Sequence, residues 1–180
     1  MRWVNDSFWV IWGLAMLLLA CYAAVLAFGA PYLPTLKKTQ ADALKLINLK
    51  KGQLLLDLGS GDGTVLNNAA ASGLRAIGYE LNPFLVVISR FINRRHGRNA
   101  KTVLGNFWHA DISQADGIFI FLLDSYMEKF DDFIKNQSHK KLKVVSHAFQ
   151  IPGKKPVKKV GALFLYEYPA SGKLGKQAKP

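Results

Sequence analysis

The apolar and polar positions along the chain fall into three stretches of different character. From Ser7 to Leu36 no residue is charged, and the densest part, FWVIWGLAMLLLACYAAVLAF from Phe8 to Phe28, has no polar face. As a helix that run would be about 31 Å long at 1.5 Å per residue, close to the ~30 Å of a bilayer's hydrocarbon core. Trp3, Trp9 and Trp12 sit near one end and Tyr32 near the other, where aromatic belts form. Pro31 and Pro34 stop the helix. A cleaved signal peptide would have a shorter apolar core. Its candidate site here, FGA, is followed by Pro31, a poor cleavage context. A buried globular helix would seldom be this long and apolar throughout. The pattern therefore predicts a short N-terminal segment (1–7), a retained transmembrane helix (8–29), and a linker leading into a second element.

From residue 37 the period changes. KKTQADALKLINL (37–49) places Ala43, Leu44, Ile47 and Leu49 at helical spacing and reads as an amphipathic helix within a linker region, 30–52. Short apolar runs then alternate with helical ones. QLLLDL (53–58) reads as a buried strand, Thr64–Ser72 as a helix, and RAIGYEL (75–81) as a strand. NPFLVVISRFINRRHG (82–97) reads as a helix with Asn82 as N-cap and Pro83 at its first position. KTVLG (101–105) and GIFIFLL (117–123) read as strands, DSYMEKFDDFIKNQ (124–137) as a helix with early acids, and LKVVSHAF (142–149) as a fifth strand. VKKVGALFLYEYP (157–169) differs: a turn, then a strand with no helix before it. Alternating strands and helices predict an α/β domain over 53–169, a Rossmann-like sheet that is mostly parallel with an antiparallel last strand. Residues 170–180 read as a disordered basic tail.

Charge and cysteine content sharpen the picture. The net charge of +12 favours an anionic partner: nucleic acid, lipid or an acidic protein. From Lys135 onward there are eleven lysines against one acid, Glu167. Aromatic residues are little interleaved with them, which disfavours an RNA platform; an anionic lipid surface near the anchor is one reading, and a solvated lysine-rich surface is the plain alternative. Flanking charge orients the expected span: Lys37, Lys38, Lys45, Lys50 and Lys51 follow it, against Arg2 before it, placing the domain on the cytoplasmic side, or the matrix side in an organelle. The single cysteine, Cys21, lies in the apolar run and supplies no disulfide, zinc set or nucleophile. His96, His109 and His139 show no metal spacing, and no metal is expected.

The chemistry sits in LLLDLGSGDGTVL (54–66), where an apolar strand ends in Asp57 and is followed by Gly59, Gly61 and Gly63. A strand, glycine loop and helix cradle a nucleotide-like ligand at a helix N-terminus. No Gly-Lys-Ser/Thr follows, which excludes a P-loop. The third glycine comes one residue too early for a dinucleotide fingerprint, and Thr64 stands where that pattern wants Gly or Ala. Glu80 closes the second strand about twenty residues on, where a carboxylate accepts both hydroxyls of a ribose.

The arrangement DLGSGDG…GYELNP resembles the class I S-adenosylmethionine-dependent methyltransferases. The resemblance implies S-adenosylmethionine as cofactor, held by Asp57, the loop residues Gly59, Ser60, Gly61 and Gly63, and Glu80 and Asn82. Asp57 suits the cofactor's cationic amino group. In GNFW, Asn106 stands where the resemblance has an acid for the adenine amino group, and Phe107 or Trp108 would pack on the adenine. The Asn/Asp-Pro-Pro-Tyr/Phe motif is absent after the fourth strand, which reads FLLDSYM.

A closer likeness covers about residues 8–168. The apolar run followed by GAPYLPT, DLGSGDG, GYELNP, GNFWHADISQAD, FIFLL, VVSHAFQIPGKKPVKKV and ALFLYEY resembles the membrane-anchored protein-lysine methyltransferases. These include the mitochondrial enzymes for the ATP synthase c-subunit and the adenine nucleotide translocase, with prokaryotic relatives. This implies lysine N-methylation of a membrane-protein substrate. Asp124 departs from the pattern, which has a proline there. Asp124, Tyr126 and His147 are the candidates around the methyl group; the plain alternatives are a helix cap, a core tyrosine and a satisfied strand histidine. Two other functions fit the residues: a methyltransferase for a lipid-soluble small molecule, and a non-catalytic module that keeps the cofactor pocket.

Overall fold

The computed structural model describes residues 2–28, 35–138 and 140–170. The chain divides into two compact units, Met1–Leu33 and Pro34–Pro180. The first holds a single helix, α1 (Arg2–Phe28), of 27 residues. Its large side chains from Phe8 to Leu19 are exposed, Trp9 and Ile11 among them. The transmembrane helix expected over 8–29 is not supported: among the described residues, no helix is long and apolar enough to cross a membrane. Trp3 and Tyr32, expected in aromatic belts, and residues 30–34 of the linker region expected over 30–52 lie outside the described side chains.

The second unit begins with α2 (Lys37–Ile47) and continues as β1 (Leu54–Leu58), α3 (Thr64–Ala71), β2 (Arg75–Glu80), α4 (Pro83–Asn93), β3 (Ala100–Leu104), β4 (Gly117–Ile120), α5 (Met127–Gln137), β5 (Leu142–His147), β6 (Lys158–Val160) and β7 (Leu163–Tyr168). The strands form one seven-stranded sheet in the order β3-β2-β1-β4-β5-β7-β6. The first five are parallel, as expected. The antiparallel part is larger than expected: β7 runs antiparallel to β5, and β6 returns as a second strand pairing with β7. Three residues, all exposed, leave β6 too short to read from a pattern. Its two lysines lie on the outermost strand, where charge discourages pairing with another chain.

The parallel strands are covered on both faces, so they read as continuous apolar runs rather than alternating ones. All five residues of β1 are buried. Leu54, Leu56 and Leu58 point to one face with Met127, Phe130 and Ile134 of α5. Leu55 points to the other, with Ile47 of α2 and Leu66 and Ala69 of α3. Each fully buried leucine contributes about 1.5–3 kcal/mol.

Element ends follow local chemistry. Asn48 closes α2 in the left-handed conformation at φ 48°. Asn82 caps α4, its side chain accepting from Phe84 N, with Pro83 at the first helical position. The helix expected over 82–97 ends at Asn93 and gives way to a 3-10 turn, Arg94–Asn99, bent at Gly97. The helix expected over 124–137 likewise starts as a 3-10 turn, Asp124–Tyr126. The fourth strand ends at Ile120, three residues before its apolar run does. Of the expected basic tail, residues 171–180 lie outside the described residues.

Candidate active site

The chain order reverses at β1: β2 and β3 lie on one side of it, β4 and β5 on the other. The carboxyl ends of β1 and β4 therefore bound the crevice in which open α/β sheets bind ligands. Asp57, Glu80, Asn106, Asp124 and His147 all lie at or just past a carboxyl end of one of these five strands.

The loop after β1 is shaped by its glycines and by Glu80. Gly59, Gly61 and Gly63 have φ of 95°, 55° and 76°, a region that L side chains enter only at a cost. Gly59 N and Ser60 N both donate to Tyr79 O, at 2.9 and 3.0 Å. Glu80 takes Gly61 N on Oε2 at 2.9 Å and Asn82 N on Oε1 at 2.8 Å. One carboxylate thus fixes both loops at the edge, and each of its oxygens retains a lone pair. Asp62 Oδ1 accepts from Thr64 N at 3.1 Å and Thr64 Oγ1 at 2.9 Å, an Asx turn just ahead of α3. Asp62 was not read from the sequence, although an aspartate two residues before a helix is a turn-forming residue.

Gly59 and Gly63 do different work. A Cβ on Gly59 would meet nothing within 4 Å, so this turn borders open space. A Cβ on Gly63 would lie 1.9 Å from Ser89 Oγ and 2.6 Å from Asn93 Nδ2. Gly63 therefore admits α4, and its carbonyl accepts from Asn93 Nδ2 at 3.0 Å. Ser60, expected at the cofactor, is buried with its side chain against Gly78, where a Cβ would lie 2.4 Å from Ser60 Oγ. Gly78, a plain strand glycine in the sequence, is what makes room for the loop.

Asp57 is buried at the end of β1. Burial, then the negative charges of Glu80 and Asp62, push its carboxyl up to about 8. A carboxyl in that state lacks a positive partner, and a ligand cation in the crevice would supply one. Asn106 spends its side-chain oxygen on Trp108 N at 3.0 Å, capping a turn over Phe107–His109. Phe107 packs against the apolar core and lies 4.6 Å from the Trp108 ring.

On the β4–β5 side, Asp124 is exposed at the start of its turn and forms no cap bond there. Tyr126 is partly exposed and 6.4 Å from Trp108. Trp108 also meets the Phe133 edge at 5.6 Å and carries the Lys129 ammonium 4.4 Å over its ring. The Trp108–Lys129 contact was not read from the sequence; it needs the turn at 107–109 and α5 brought together. His147 ends β5 and packs against Phe121 at 4.3 Å. Burial lowers its pKa, and Nδ1 is buried without a hydrogen-bond partner. The next residue, Ala148, has φ 70°, and Phe149 N bonds His147 O across it at 3.0 Å. That γ-turn is of the rare, strained kind, and strain of this sort gathers at functional edges.

Gln40 of α2 is buried and ties this edge to the start of the domain. Its Nε2 donates to Thr35 O at 2.7 Å and Thr64 Oγ1 at 2.9 Å, and its Oε1 accepts from Asn68 Nδ2 at 2.6 Å. A polar residue on a helix with an apolar stripe gave no sign of this in the sequence.

The sheet order, the open glycine turn, the buried Asp57 and the bidentate Glu80 define a class I methyltransferase, and they fit S-adenosylmethionine as its cofactor. The comparisons with known proteins place it further. The chain belongs to the family of the ANTKMT methyltransferase domain, whose model matches residues 57–158. It is 30% identical over 154 residues to the human ATP synthase c-subunit lysine N-methyltransferase, covering 83% of this chain and 66% of that protein. It is 31% identical to a protein-lysine N-methyltransferase of Saccharolobus islandicus, covering 70% of this chain and 81% of that one. The chain thus spans just under two thirds of the human relative's length. Among solved structures, an RNA methyltransferase from Salinibacter ruber in complex with S-adenosyl-L-homocysteine aligns at TM-score 0.70 and 27% identity, covering 82% of this chain and all of that one. A methyltransferase from Thiobacillus denitrificans, in complex with the same molecule, shares the fold at TM-score 0.53 and 17% identity, covering 63% of this chain and 49% of that one.

Proposed function

We propose that this protein transfers a methyl group from S-adenosylmethionine to the ε-amine of a lysine in a membrane-associated protein. The lysine chemistry rests on one observation: relatives as distant as a human and an archaeal protein, each about 30% identical to this chain, are both named lysine N-methyltransferases. Another relative, 32% identical and from mouse, is an adenine nucleotide translocase lysine N-methyltransferase. A membrane-protein acceptor is the extension of those names to this chain. The exposed apolar surface of α1 and the basic charge that follows it support a membrane location. A spanning helix forms no part of that support.

Bound S-adenosylmethionine supplies a methyl group on a sulfonium. The residues around it divide the remaining work. Asp57 offers a carboxyl to the cofactor's amino group, and Glu80 offers its two oxygens to ribose hydroxyls. Asn82 and Asn106, both acting as caps, set the walls on either side. Trp108 and Tyr126 form an aromatic wall that favours a neutral amine over an ammonium by desolvation. His147, held neutral by burial, accepts the proton that the acceptor lysine must lose. Asp124 lies exposed at the mouth, where it attracts the incoming ammonium.

A second reading is favoured by the Salinibacter ruber structure, described as an RNA methyltransferase and aligned over its full length. Labelled S-adenosylmethionine, offered with native membranes and with total RNA, separates the two readings. Label on a protein band, at lysine by mass spectrometry, is the expected result. Label confined to RNA or to the lipid extract overturns the proposal in favour of RNA or a lipid-soluble small molecule. Absence of cofactor binding by calorimetry would leave a non-catalytic module. Glu80→Ala serves as the inactive control.

Asp57 adds a pH signature. Its pKa in the folded chain lies above the ordinary 3.8, so the folded state binds the extra proton between about pH 4 and 8. That contribution to stability is full at low pH and is lost as pH rises through this window. Asp57→Asn should remove the decline: its melting temperature should exceed the wild type's at pH 9 and match it more closely at pH 5, while cofactor binding weakens.

A further inference from the structure

Helix α4 presents its apolar stripe to solvent. Phe84, Val87, Ile88 and Phe91 follow the i, i+3, i+4, i+7 spacing of one helix face and are 46–66% exposed. The face turned to the sheet carries Val86, Ser89 and Asn93 instead. Ser89 Oγ pairs with Thr102 Oγ1 at 2.5 Å, and Asn93 Nδ2 reaches Gly63 O at 3.0 Å, so the polar side of the helix is bonded into the fold. An outward stripe of two phenylalanines and two β-branched residues on one helix is a surface built for a partner.

The charge around the stripe selects that partner. From Leu81 to Ala110 there is no acid, against Arg90, Arg94, Arg95, Arg98 and Lys101. The Arg94 guanidinium stacks 4.3 Å over the Phe91 ring, so cation and apolar stripe share one surface. A second copy of this chain would bring the same cations against each other and is disfavoured by like-charge repulsion. Phenylalanine and aliphatic residues on one face with arginines beside them match the interfacial layer of an anionic bilayer, where the apolar side enters the acyl boundary and the cations meet lipid phosphates.

We propose that α4 docks by this stripe onto the surface of a membrane containing anionic lipid. The first residue of the helix, Pro83, follows soon after Glu80, so docking would hold the cofactor-binding edge close to the bilayer. The inference stands apart from the identity of the methyl acceptor, and its readout is not activity.

The test uses the full chain with Cys21→Ala and one new cysteine, Val87→Cys, carrying an environment-sensitive fluorophore. It is mixed with phosphatidylcholine vesicles with and without phosphatidylglycerol. A label at Asp132, exposed on α5, is the reference. The expected result is a blue shift at position 87, and quenching by brominated acyl chains, only when phosphatidylglycerol is present. The Asp132 label should not respond, and Arg94→Glu with Arg98→Glu should abolish the response at unchanged circular dichroism. Reading position 87 itself separates α4 from any vesicle attachment through α1. An aqueous label in both vesicle types overturns the proposal, as does an equal shift in neutral vesicles. A shift without vesicles also overturns it, and indicates a second copy.

Discussion

Helices α4 and α5 are each eleven residues long and segregate apolar from polar positions to a similar degree, yet they seat on the sheet in opposite senses. α5 turns Met127, Phe130 and Ile134 inward, all fully buried, and leaves its charges outside apart from Asp131. α4 turns Ser89 and Asn93 inward and leaves Phe84, Val87, Ile88 and Phe91 outside. The surfaces beneath them explain the difference. α5 lies over the leucines of β1 and the aliphatics of β4 and β5, which offer only apolar area. α4 lies over Thr102 and the Gly63 carbonyl, groups that need hydrogen-bond partners once buried. Amphipathicity establishes that a helix has two faces; the chemistry of its seat decides which one the fold uses.

The largest effect expected from this contrast is at Phe130. Phe130→Ala removes a fully buried ring and should cost about 3–5 kcal/mol in urea unfolding. A loss below 1 kcal/mol would show that α5 is not anchored as described. Next comes Gly63→Ala, which adds a methyl group into Ser89 at a left-handed φ. Steric displacement of α4 and backbone strain together should cost about 2–4 kcal/mol, and α4 amides should lose hydrogen-exchange protection before those of α5.

Asp131, the one charged residue α5 turns inward, gives a smaller and pH-dependent effect. It accepts from Tyr168 Oη at 2.6 Å and pairs with Lys154 at 3.0 Å and Lys135 at 2.5 Å. Burial alone would raise its pKa, but the bonds from Lys135, Tyr168 and Lys154 outweigh it and hold the carboxyl below 3.8. Its contribution is therefore complete above pH 4 and lost as pH falls through the lowered pKa. Asp131→Ala should cost about 1.5–3 kcal/mol at neutral pH, and the gap to wild type should close in acid. The neutral seat of α4 should show no such closing. The smallest effect is at Phe91: Phe91→Ser, on the exposed stripe, should change stability by less than about 0.5 kcal/mol. A loss comparable to that at Phe130 would mean the stripe is covered within the chain.

The same contrast marks how far the sequence could be read. The parallel strands were legible because continuous apolar runs between turns have few other interpretations, and β1 to β5 lie within a few residues of their expected limits. The placement of Asp57 and Glu80 near the ends of neighbouring strands was legible because a glycine loop and a strand-end acid stand at fixed spacing. What escaped notice depends on contacts between distant residues. Ser60 looks like a ligand contact until Gly78 is found opposite its side chain. The Asn106 oxygen looks wholly free until the 107–109 turn takes one of its two lone pairs. β6 is too short and too basic to stand out from a turn. The transmembrane reading came from the uncharged run, and among the described residues no helix bears it out.

Gln40 has a consequence for anyone trimming this chain. Its bonds make the backbone at Thr35 a tether for the first turn of the helix behind the cofactor loop. A fragment cut at residue 41 would keep every strand and every glycine of the sheet domain, yet release Thr64 and Asn68 from their anchor. The working boundary of the domain is therefore set by one amide side chain, well upstream of its first strand.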